Sequence, residues 1–148
     1  MGLFDSLLGG QSAQNSGLSK QEAFLAVMLI AIAADGSISE EEIGEIGVRS
    51  KRMQSLKQMS NEQLGSTVRK LVNLAKTNGA PKLLTQAAEA LPAELRPTAF
   101  AVAADLMLGD GGVQGNEMKA LEAMQQTLQV PPDLAVKIIE VLQIKSKG

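Results

Sequence analysis

The chain has no histidine and no cysteine among its 148 residues, and it has no tryptophan or tyrosine either. Without histidine, the commonest general base and the commonest zinc ligand are missing, and serine–histidine and metalloprotease arrangements are excluded. Without cysteine there is no disulfide framework, no thiolate metal site and no cysteine nucleophile. Aromatic residues make up only 2% of the sequence, so a core must come from Leu, Ile, Val, Met and Ala, which suits packed helices better than a sheet. There is no basic excess, since the net charge is −2 and the pI about 5.2, so nothing argues for nucleic acid. The run from Ala23 to Ala34 is apolar throughout, but it is too short to cross a bilayer and reads as a buried helix.

What is present is 45% hydrophobic residues in one domain's length of chain, enough for a sizeable core. No stretch alternates with a period of two, so strands are not expected. Residues 1–18 read as a flexible N-terminal segment, with the polar run Gly9 to Gly17 as a linker. The apolar start Met1-Gly2-Leu3-Phe4 either docks on the domain as a short helix or frays. It also fits the N-myristoylation pattern, but no basic cluster supplies a second membrane signal.

Residues 19–148 read as a single all-α bundle of about seven helices. Ser19 with Glu22, Ser39 with Glu42, and Ser60 with Gln63 have the spacing of capping boxes. They open helices over about 20–34, 40–57 and 61–78, the last ended by Asn78-Gly79. Pro81 suits the first turn of a helix to about Leu91. Further helices are expected over 92–108, from Gln114 or Asn116 to about Gln129, and from Pro132 to about Ile144. Gly44 and Gly47 each cost the second helix about 1 kcal/mol relative to alanine, which a closely approaching neighbouring backbone would explain.

Two segments share a pattern. Asp35-Gly36-Ser37-Ile38 leading to Glu42, and Asp110-Gly111-Gly112-Val113 leading to Glu117, both read Asp-Gly-x-(Ile/Val)-x-x-x-Glu. Each follows an Ala-rich apolar helix and opens another, so the bundle is expected to contain two pseudo-repeated helix–loop–helix units. The pattern matches the second half of an EF-hand loop, but the earlier ligand positions fall on Ala31 and Ala33, and on Leu106 and Leu108. None of these can hold calcium, so an EF-hand is rejected. Carboxylates beside the carbonyls of a helix end still form an all-oxygen corner of the kind Ca²⁺, Mg²⁺ or Mn²⁺ accepts. Asp105 lies in the last turn of its helix, where a carboxylate is disfavoured unless a cation compensates. Helix initiation explains much of the same pattern, because Asp-Gly is a common turn and Glu42 can cap Ser39.

Ala33-Ala34-Asp35-Gly36-Ser37-Ile38-Ser39 to Glu42, with Ala103-Ala104-Asp105 through Asp110-Gly111 to Glu117 and Leu121, resembles the tellurite-resistance TerB family. The likeness covers roughly residues 20–130. It implies an all-helical fold related to the N-terminal domain of DjlA-type co-chaperones, although a J domain is excluded by the lack of histidine. It also implies divalent-cation binding by acidic loops, a role in bacterial tellurite or metal stress, and protein partners such as a TerC-like membrane protein. By position the candidate metal ligands are Asp35, Glu41, Glu42, Asp105, Asp110 and Glu117. The second loop departs from the family, with Gly112, Gln114, Gly115 and Asn116 where acidic residues are frequent.

The functional expectation is a non-enzymatic cytoplasmic module, free or peripheral at the inner membrane, with no span and no nucleic-acid partner, as a monomer or a homo-oligomer. The alternatives are a structural adaptor without metal and a carboxylate-dependent hydrolase.

Overall fold

The computed structural model describes residues 17–33, 38–108 and 115–147, the side chains of 115 and 116 excepted. The described chain is an all-α bundle of seven α-helices: α1 Lys20–Ile32, α2 Glu40–Ser50, α3 Asn61–Asn78, α4 Ala80–Ala90, α5 Arg96–Leu108, α6 Gly115–Thr127 and α7 Pro132–Ser146. Residues 1–16, 34–37, 109–114 and 148 lie outside the description, and with them both Asp-Gly dipeptides and the expected N-terminal segment 1–18 except Gly17 and Leu18, the latter buried in the core.

All three capping boxes form. The hydroxyls of Ser19, Ser39 and Ser60 each accept from the backbone N–H three residues on, and Glu22, Glu42 and Gln63 reach back to the cap N–H. Each box satisfies two donors that a helix N-terminus leaves unpaired. At the other end of α3, Gly79 takes φ 91° and its N–H bonds to the Ala75 carbonyl, a conformation that glycine adopts without steric cost.

The core is built around α1 and α5, the two Ala-rich helices. Ala23 through Leu29 are all buried on α1, as are Ala99, Phe100, Ala103, Ala104 and Leu106 to Leu108 on α5. From Ala23 to Leu29 α1 is buried on every side and so carries apolar residues all round, whereas α5 keeps a part-exposed stripe at Thr98, Ala101, Val102 and Asp105. α1 packs against α3, α4 and α5, while α5 also receives α6 and α7. The other helices are amphipathic covers; α7 buries only Ala135 fully.

Three expectations need correction. α2 stops at Ser50 rather than near Lys57, and hydrogen-bonded turns carry the chain to Met59. The Ser50 hydroxyl donates to the Ile46 carbonyl at 2.7 Å inside the core, a back-bond that bends helices. The turns that follow bring Leu56 to complete burial. The helix expected over 92–108 is a 3-10 turn, Ala93–Leu95, followed by α5. Pro97 has no N–H to give to the Ala93 carbonyl, so the α-helical ladder cannot run through that point. Finally, no neighbour among the described residues comes within 4 Å of a Cβ built on Gly44 or Gly47, so close approach by those residues does not account for them.

α6 ends in a motif not anticipated from the sequence. Gln129 takes φ 59°, its N–H bonds to the Gln126 carbonyl, and the Val130 N–H bonds to the Gln125 carbonyl. This is a Schellman turn built on glutamine instead of glycine. Arg96 Nη1 donates to the Gln129 side-chain oxygen at 3.0 Å and so ties the turn to the start of α5.

Candidate functional site

The first helix–loop–helix unit is α1–α2. Its described candidate ligands, Glu41 and Glu42, lie in the first turn of α2, where Glu40 and Glu41 are exposed and Glu42 is half-buried. Negative charge at a helix N-terminus is favourable to the dipole. Glu42 commits one oxygen to the cap, with Oε1 accepting from the Ser39 N–H at 2.8 Å. Asp35 lies outside the described residues, so what Glu42 faces across the loop is not described.

The second unit is α5–α6. Asp110 also lies outside the described residues. Glu117 sits in the first turn of α6, half-buried, and engages a partner of its own. Asp105, in the last turn of α5, has two cationic partners. Arg49 Nη2 of α2 lies 3.2 Å from Asp105 Oδ2, and Lys145 Nζ of α7 lies 3.2 Å from Oδ1. The compensation that a carboxylate needs at a helix C-terminus is therefore supplied by two protein side chains.

What the structure gathers at Asp105 is two cations, Arg49 from α2 and Lys145 from α7. Among the described residues, no three carboxylates come together as a metal-holding group. Sequence spacing singles out neither Arg49 nor Lys145. The available signal was the misplaced charge of Asp105, which required a cation without saying whose.

One carboxyl has a displaced proton affinity. Burial pushes Glu22 up, but a hydrogen bond from Lys70 and the N–H and hydroxyl of Ser19 outweigh it and hold the group below the ordinary carboxylate range. Lys70 Nζ lies 2.6 Å from Glu22 Oε2, which pins α3 to the start of α1. A polar cavity of about 620 Å³ nearby is lined by residues including Gln21, Glu62, Gln63, Ser66 and Thr67. A second cavity, of about 470 Å³ and mainly apolar, opens between the end of α1, α3 and the start of α4. Compared with known proteins, the chain matches no family model, no curated protein and no solved structure. Among the described residues no helix is long and apolar enough to cross a membrane.

Proposed function

We propose that this chain is a non-catalytic helical module of a tellurite or metal-stress system, of TerB type, binding divalent cations weakly through its Asp-Gly units. It acts through protein partners in the cytoplasm or at the inner face of the membrane. The observation that carries the reading is the paired architecture. Two Ala-rich helices, α1 and α5, pack on each other, and each leads through an Asp-Gly segment into a helix whose first turn holds Glu42 or Glu117. Oxygen ligands alone select hard cations, Ca²⁺, Mg²⁺ or Mn²⁺. A partner role is supported by apolar side chains that α7 turns to solvent, Val141 and Ile144 being 62% and 69% exposed.

An open oxygen site of this kind binds with a dissociation constant of about 10⁻⁴–10⁻³ M, and at ten times that concentration it adds about 1.4 kcal/mol of stability. Thermal melts with and without millimolar cation, on the parent and on Asp35→Asn/Glu42→Gln, test it. Glutamine at position 42 can still close the cap, so the double variant folds, and the reading requires that it lose the cation response. A second reading, an adaptor without metal, is favoured by the complete Ser39–Glu42 capping box, which explains Glu42 without an ion. No cation response in the parent leaves that reading standing and removes the first.

A further inference from the structure

Gly44 and Gly47 stand along one edge of α2 and border a mainly apolar groove of about 360 Å³ between α2 and α3. Its two walls, residues 43–51 and 61–68, lie wholly within the described chain. The α3 wall carries a third glycine, Gly65, where only the far end of the Arg69 side chain comes within 4 Å of a built Cβ. Val48, on the α2 wall, is 58% exposed. Glycine inside a helix is destabilising relative to alanine, and three of them border this one groove.

The charges on the same edge indicate what fits there. At helical spacing Glu40, Gly44, Gly47 and Lys51 fall in one row, with Val48 beside it. Lys51 is the C-cap and keeps an αR backbone, so it stays in the row. Glu40 and Lys51 are exposed, and neither forms an ion pair among the described residues. When two copies of a helix pack antiparallel about a two-fold axis, each residue before the axis meets the one equally far beyond it. With the axis midway between Gly44 and Gly47, Glu40 meets Lys51 of the other copy at both ends. Gly44 meets Gly47 where the backbones cross, and Val48 flanks the crossing. We propose that this face of α2 pairs two copies of the chain, their α2 helices crossing near-antiparallel at the glycines, with Gly65 giving room on the α3 wall.

The helix dipole alone favours acid first and base last, but it asks for no glycine between them. A parallel pairing would set Glu40 on Glu40 and Lys51 on Lys51. The exposed apolar side chains of α7 have no comparable register. With Val141 on a two-fold axis, Lys137 would meet Lys145 of the other copy, a like-charge contact.

Sedimentation of the full chain from about micromolar to about millimolar concentration tests it. The mass should rise from 15.5 kDa towards twice that value. Glu40→Lys and Lys51→Glu each set like charges together at both ends of the crossing, and each should raise the dissociation constant about tenfold. An equal mixture of the two variants should associate as tightly as the parent, because every contact between positions 40 and 51 of unlike chains is again one of opposite charges. Gly44→Gln should keep the chain monomeric throughout, with a melting temperature in dilute solution no lower than the parent's, which separates loss of pairing from loss of fold. A parent that stays monomeric to about millimolar concentration, a dimer indifferent to Gly44→Gln, or a mixture no tighter than the single variants overturns the proposal.

Discussion

Asp105 is shared by two cations of unequal exposure, and the difference can be measured. The Arg49 and Asp105 side chains are 27% and 26% exposed, whereas Lys145 is 64% exposed. Partly exposed pairs contribute at most about 1 kcal/mol, and exposed ones a few tenths. Against this, a carboxylate in the last helical turn costs about 0.3–1 kcal/mol. Arg49 Nε is also buried without a hydrogen-bond partner among the described residues, a further cost that Arg49→Met removes. Single substitutions should therefore look almost neutral, with Asp105→Asn changing stability by less than about 1 kcal/mol. In a chain of this length that is about 2–4 °C in Tm. The coupling is visible only in double-mutant cycles. Arg49→Met with Asp105→Asn should give about 0.5–1 kcal/mol, and Lys145→Met with Asp105→Asn about half that. Denaturant unfolding at low salt and at ~0.5 M salt is the assay, and both couplings should shrink as screening rises. Zero coupling for Arg49, or a larger value for Lys145 than for Arg49, would refute the assignment of Asp105 as an internal ion-pair hub. Millimolar Ca²⁺ that abolishes the Arg49 coupling would instead mark Asp105 as a ligand that exchanges protein cations for the metal.

Other expected outcomes are independent of that cluster. Ser39→Ala should cost about 1 kcal/mol by chemical denaturation and Ser39→Gly only a few tenths, because the hydroxyl is the acceptor of the Glu42 N–H at 3.1 Å. Gly44→Ala should raise stability by about 0.5–1 kcal/mol, since the position is helical and nothing among the described residues meets a new Cβ; a loss would reveal a neighbour not yet accounted for. Leu25→Ala, at a position with no exposure, should cost about 2–5 kcal/mol. Glu22, with its proton affinity depressed, stabilises the fold fully above the ordinary glutamate value of 4.5. That contribution is lost as pH falls through the lowered value. Melts from pH 6 to pH 3 should accordingly decline more steeply for the parent than for Glu22→Gln.

The helix starts were legible because their chemistry is local: a serine oxygen and a glutamate or glutamine three residues on are enough to place Lys20, Glu40 and Asn61. The ends were less so. Where α2 stops depends on Ser50 reaching Ile46 inside the core and on the burial of Leu56, contacts that sequence spacing does not report. The left-handed Gln129 was hidden for a related reason, since glutamine carries none of the signal that Gly79 does. Of the six candidate ligands, Asp35 and Asp110 fall outside the described residues. Glu41, Glu42 and Glu117 are found at helix N-termini, as their spacing implied. Asp105 was correctly singled out as a charge in an unfavourable place, but its partners come from 56 and 40 positions away. A local pattern holds no information about such contacts.

The burial of α1 on every side from Ala23 to Leu29 has a kinetic consequence. A helix with no solvent-facing side can expose its amides only when its neighbours on every side have left, so no small fluctuation frees it. Amides from Ala26 to Leu29 should exchange with solvent deuterium only through global unfolding, and so report the full stability of the domain. α7, with Ala135 its one fully buried residue and Ile138, Ile139 and Leu142 only half-buried against the core, should open and close many times in that interval. An exchange experiment should therefore find α7 opening while the buried stretch of α1 stays shut.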